Sequence, residues 1–194
     1  MCGQALKTIR DEHEVLCAML HSMRLLLAQQ RARPGGPDFG LLRAMLFYVD
    51  EFPNRLHHPK EEALLFPRVR AACPEIAEVL DQLGEDHEHG ARSLHHLEHA
   101  LTAYEMLGDE RREAFEQALQ RYSTFYLRHM ELEERVVLRA AIEHLSDEDW
   151  AALDEAFASN RDPFTGHAPD EAFKPLHARI LATLPEPLGY APPA

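Results

Sequence analysis

The sequence predicts an all-α fold, an antiparallel up-and-down bundle of four helices followed by a C-terminal helical and extended tail, and three observations carry that prediction. Apolar residues recur at three- and four-residue steps over most of the first 145 positions, which is the period of one helix face. Breaker residues stand where those stretches stop: the run Arg33-Pro34-Gly35-Gly36-Pro37, then Pro74, then Gly108. No segment shows the alternation of a half-buried strand. The expected division is a bundle over residues 1–145 and an extension over 146–194 that packs on its exterior.

Each element follows from its own pattern. Leu6, Ile9, Leu16, Leu20, Met23 and Leu27 line one face of a helix near 4–31. A second pattern, from Phe39 to Ala72, carries Leu42, Leu46, Val49, Leu56, Leu64, Leu65 and Val69. Pro53, Pro59 and Pro67 are expected to kink or break it, since each lacks a backbone donor and crowds the carbonyl four residues back. Pro74 opens a third helix with Leu80, Leu83, Leu94, Leu97, Leu101 and Tyr104 in one stripe, and Gly108 closes it. Asp109 is expected to cap the fourth, which runs to about Glu143 through Phe115, Leu119, Tyr122, Tyr126, Leu132 and Val136. Ser146 with Asp147, Glu148 and Asp149 resembles an N-cap with an acidic first turn, leading a short helix through Trp150, Leu153 and Phe157. One more short helix is expected near 171–183, then an extended Pro-rich tail.

Composition narrows the function. The formal charge is −13 and no basic cluster stands apart from acidic neighbours, so neither nucleic acid nor an anionic membrane is an expected partner. The N-terminus lacks the plan of a signal peptide and no apolar run approaches the length of a membrane span, so the chain reads as cytoplasmic. Three widely spaced cysteines suit reduced thiols better than a disulfide framework. The unusual count is 13 histidines.

Two helices share His-x-x-x-Glu, as His57-His58-Pro59-Lys60-Glu61-Glu62 and as His129-Met130-Glu131-Leu132-Glu133-Glu134. Four residues of separation put an imidazole and a carboxylate one turn apart on one face, where both reach a single ion. His129 and Glu133 fall inside the apolar stripe of the fourth helix, His87 in that of the third between Leu83 and Gly90, and His13 in that of the first between Ile9 and Leu16. An ionised carboxylate in such a core needs a partner, because leaving it unpaired costs several kcal/mol. Imidazole and carboxylate without thiolate suit iron, manganese or zinc. Four histidines and two glutamates exceed the needs of one catalytic zinc and suit two ions bridged by both carboxylates, with a position left for an exogenous ligand.

At these residues the chain resembles the hemerythrin-like family, di-iron four-helix proteins named for a His-His-Glu cation-binding motif. The resemblance rests on His57 to Pro67, joined by Asp11-Glu12-His13, Glu85-Asp86-His87 and His129 to Glu134, and it covers residues 5–145. Asn160-Arg161-Asp162-Pro163-Phe164 and the Pro-rich end resemble an extension of bacterial members. Carried over by motif, the implied ligands of two iron ions are His13, His57, Glu61, His87, His129 and Glu133. Zinc and manganese remain open as the metals. Oxygen-carrying members have a further histidine where this chain has Ala91, so the resemblance implies a reduced set of four histidines and puts reversible oxygen carriage in doubt.

His58 with Glu62 offers a second register; helical steps align His57 with Val49 and Leu46 and His58 with Asn54, Arg55 and Glu51, which favours His57 with Glu61. His58 then stands beside the ligands. His89, His95, His96 and His99 have polar helical neighbours and read as solvated. Cys17 and Tyr126 each lie one turn from an expected ligand and are open between packing and a role at the site. The expected function is sensing, scavenging or storing a small diatomic molecule, peroxide or iron. Two alternatives stand beside it: repair of damaged iron centres, disfavoured by a helix that begins by residue 4 with a lone Cys2 before it, and a helical interaction module with structural histidines.

Overall fold

A computed structural model describes residues 3–30, 36–169 and 171–183. Within them all regular structure is helical. Helix α1 is Gln4–Gln30, α2 covers residues 39–72, α3 covers 74–107 and α4 covers 109–144; two short helices follow, α5 at Asp147–Phe157 and α6 at Lys174–Leu181. The expected Pro-rich tail lies outside the described residues.

The amphipathic stripes bury where the pattern put them. One apolar cluster takes Leu16, Leu20 and Met23 from α1, Leu42 and Val49 from α2, Leu94 and Tyr104 from α3, and Phe115 and Tyr126 from α4. A second takes Leu6 and Ile9, then Leu65 and Val69, then Leu80 and Leu83, then Val137 and Ala141 from the same four helices. Complete burial of one such large side chain is worth about 1.5–3 kcal/mol. Every long helix thus passes from one cluster to the other, and between the clusters each carries its buried histidines: His13, His57 with His58, His87 and His129.

The prolines of α2 do not break it. Pro53 sits inside a π-helical stretch, Asp50–His57, while Pro59 and Pro67 stand in the first turn of the α-helical pieces that follow that stretch and a second one, Glu61–Leu65. A π turn inserts one extra residue, which accommodates the missing donor and the crowded carbonyl within a continuous helical segment. A third π turn, Glu133–Val137, interrupts α4. Both Glu61 and Glu133 therefore open a π turn.

At the start of α4 the expected cap is absent. Asp109 opens a 3-10 turn after Gly108, whose φ of 84° only glycine adopts freely, and its carboxylate instead accepts from the Tyr104 hydroxyl at 3.4 Å. The Ser146 cap forms as a capping box, with Asp149 N donating to Ser146 Oγ and Ser146 N donating to Asp149 Oδ2. Helix α5 lies against α1 through buried Trp150, Leu153 and Phe157, and Asp154 accepts from the Ala5 amide at 2.6 Å, satisfying one of the orphan donors at the start of α1. Ile180 of α6 is buried against the first cluster, with Phe173 and Leu176 partly buried beside it. Among the described residues no helix is long and apolar enough to cross a membrane.

Candidate metal centre

Two groups of side chains meet in the polar layer between the apolar clusters. His13, His57, Glu61 and Glu133 form one, and His58, His87 and His129 the other; in each, one donor atom per residue lies within 4.8 Å of all the others. All seven residues are buried, Glu61 and Glu133 completely. The six residues expected from sequence are thus brought together, and His58 joins them.

The two glutamates face both groups. Glu61 Oε1 lies 2.7 Å from His57 Nε2 while its Oε2 lies 3.3 Å from His87 Nε2. Glu133 Oε2 lies 3.5 Å from His13 Nε2 and 3.9 Å from His129 Nε2. None of the four carboxylate oxygens, nor His57 Nε2, makes a hydrogen bond: they converge on common points without the alignment of donor to acceptor. His87 Nε2 and His129 Nε2, by contrast, lie within hydrogen-bond distance of one another at 3.2 Å. Buried polar atoms left without hydrogen bonds are rare because each costs its desolvation energy, and lone pairs converging this way fit cations. Each glutamate lies close to histidines of both groups.

On the far side of the rings, carboxylates take the Nδ1 protons. His13 Nδ1–H donates to Glu134 at 2.9 Å, His57 to Glu12 at 2.6 Å and His87 to Glu62 at 2.7 Å. Asp86 stands 3.6 Å from His129 Nδ1, beyond hydrogen-bond reach. A proton held on Nδ1 leaves Nε2 as the lone-pair nitrogen facing inward, and the carboxylate fixes the ring and raises its basicity. His58 differs: its ring is nearly parallel to those of His87, 4.1 Å away, and Tyr126, 5.8 Å away.

These surroundings set the protonation of the metal-free site. Burial opposes a charge on His13, yet Glu133 and Glu134 outweigh it and raise the pKa to about 9. His57 is raised well above the usual imidazole range, again against burial, by Glu61 and Glu12. His87 is raised against burial by Glu61 and Glu62. Burial and the neighbouring His87 push His58 well down, so it is neutral. Glu61 is held low despite burial by His57 and His87, whereas burial and the charge of Glu61 raise Glu133.

The backbone turns residues of both registers inward. His57 ends one π turn and Glu61 opens the next, and the extra residue turns both His57 and His58 inward, 3% and 6% exposed. Glu62, half-exposed, remains outside as the acceptor for His87. Ala91 is exposed, and His58, expected to stand beside the ligands, lies within the group of His87 and His129 that could hold an ion. Tyr126 is buried with its hydroxyl donating to Asn54 Oδ1 at 3.3 Å, and Cys17 packs half-buried against the apolar cluster. His89, His95, His96 and His99 are exposed. The signal in the sequence for the outer carboxylates is an acid next to a motif residue: Glu12 and Asp86 just before His13 and His87, Glu62 and Glu134 just after Glu61 and Glu133.

A narrow cavity of about 10 Å³, room for one water-sized guest, lies beside His13, His57 and His58. Its remaining walls are mostly apolar, Leu16, Tyr48, Phe52, Pro53 and Met130, joined by Glu12 and Asp162. Searches of the curated proteins and of the solved structures return no match. The hemerythrin HHE cation-binding domain matches residues 4–141, the span that carries every residue of both histidine groups, and the chain belongs to that family.

Proposed function

We propose that this chain is a non-haem di-iron protein that takes up dioxygen, nitric oxide or peroxide as a sensor, scavenger or store. His13 and His57 hold one ion, His58, His87 and His129 hold the other, and Glu61 and Glu133 span them. The scaffold is an antiparallel up-and-down four-helix bundle over residues 1–145, with 146–194 as an extension. Support for that topology comes from contacts such as Arg112 to the Leu27 carbonyl and His13 to Glu134, which pair the late part of α1 with the early part of α4 and the reverse.

The observation that carries the reading is the pair of fully buried glutamates whose oxygens lack hydrogen bonds and face both histidine groups. Thiolate-free nitrogen and oxygen donors favour iron, zinc or manganese; zinc lacks redox chemistry, and of the two redox-active metals iron is the one suited to binding dioxygen and nitric oxide. Two iron ions held there would supply positions that bind a diatomic molecule or peroxide. The chain's own contribution is asymmetry. Two imidazoles on one side against three on the other leave the His13–His57 side less crowded, and that side borders the cavity. Its apolar walls exclude all but small guests, and the outer carboxylates keep the imidazoles oriented. Anaerobically reconstituted protein should change its visible absorption on exposure to dioxygen or nitric oxide. No change with any of the three ligands overturns the gas and peroxide reading.

A further inference from the structure

Residues 159–164 follow α5 and lie beyond the span that the family domain matches, yet they reach the metal centre. Asn160 is 4% exposed and its Nδ2 donates to both oxygens of Glu12, at 2.9 and 3.0 Å. Glu12 Oε2 in turn accepts the Nδ1 proton of His57 at 2.6 Å. Lys60 completes the line, donating to Asn160 Oδ1 and to Ser159 Oγ. The turn itself is held by Asp162, which accepts from Tyr48 and from the Phe164 amide at 2.8 Å, and by Phe164 packed edge-on to Tyr48. Arg161 keeps a φ of 46°, a left-handed backbone that a non-glycine residue adopts only where its surroundings hold it.

Glu12 is unlike the other carboxylates behind the histidines. Its side chain is 8% exposed, against 39% for Glu134 and 48% for Glu62. Those two can be hydrated, while a buried carboxylate depends on protein donors to stay in place. The second such donor is supplied by a residue 148 positions away in sequence.

We propose that Asn160 is a positioning residue of the metal centre: by fixing Glu12 as the acceptor for His57 Nδ1–H, it lets the segment after the family domain set how firmly the His13–His57 ion is held. The proposal rests on the two-ion reading. A residue acting through Glu12 alters one ion, whereas a residue that only packs the turn alters both or neither.

The test compares Asn160→Ala, Glu12→Gln, the double variant and Phe164→Ala, which loosens the same turn without touching Glu12. Each full-length chain is loaded anaerobically with ferrous iron and challenged with a chelator. Asn160→Ala should speed the loss of one ion by roughly ten- to a hundredfold and leave the other nearly unchanged. In the Glu12→Gln background the same change should add nothing. Equal acceleration of both ions, acceleration of neither, an undiminished effect in the Glu12→Gln background, or an equal effect from Phe164→Ala overturns the proposal. A metal-free measurement separates its failure from that of the two-ion reading. Nitrogen NMR of the imidazoles should show a hydrogen-bonded His57 Nδ1 proton in the wild type and in Phe164→Ala but not in Asn160→Ala. Its persistence in Asn160→Ala overturns the proposal whatever metal the chain takes.

Discussion

His13 is protonated in the metal-free chain at neutral pH, and a cation must displace that proton to use the ring. With a folded pKa of about 9 against an ordinary 6.5, its contribution to folding is complete below pH 6.5 and is lost as pH rises towards 9. The shift corresponds to about 3 kcal/mol. Glu133, also raised, works in the same direction. Metal affinity runs the other way, rising with pH as competition from protons fades. The gap in Tm between metal-loaded and metal-free protein should therefore widen from pH 6.5 to 9. A gap that stays constant or narrows in thermal scans contradicts this assignment of charge. His58, neutral by burial, needs no proton displaced. Truncation by His58→Ala should lower iron content while leaving the proton release of the His13 side intact, as read by metal analysis and by pH change on loading.

At the scale of elements, the π turns and one glycine hold the site together. Gly90 of α3 faces the Tyr126 hydroxyl so closely that a Cβ there would collide with it. Tyr126 cannot retreat, being buried against Tyr122, Phe125 and His58. Gly90→Ala should cost about 1–3 kcal/mol in denaturant unfolding despite the better helix propensity of alanine. A neutral or stabilising result would show that the aromatic stack has room. The helices and the six motif residues were legible in the sequence because heptad-like spacing and His-x-x-x-Glu are local patterns. His58 was not, since regular helical steps put it with Asn54 and Arg55, and only an inserted π residue brings it inward. Proline in α2 was the visible trace of that insertion, read as a kink. The link from Asn160 to Glu12 had no local pattern to betray it.

Taken as a whole molecule, the protein buries a layer of ionisable groups between two apolar clusters, an arrangement that is costly without compensation. Cations bound in that layer offset the cost and couple metal content to stability. Removal of metal by a chelator should lower Tm, and His129→Ala should lose both the metal and that increment; unchanged metal content and Tm in His129→Ala would instead favour purely structural histidines. The central claim is that two ions share Glu61 and Glu133, and iron analysis with Mössbauer spectra after anaerobic reconstitution tests it most directly. About two irons per chain are expected, magnetically coupled when oxidised through their shared ligands. One iron per chain, or two that behave as isolated ions, would contradict it.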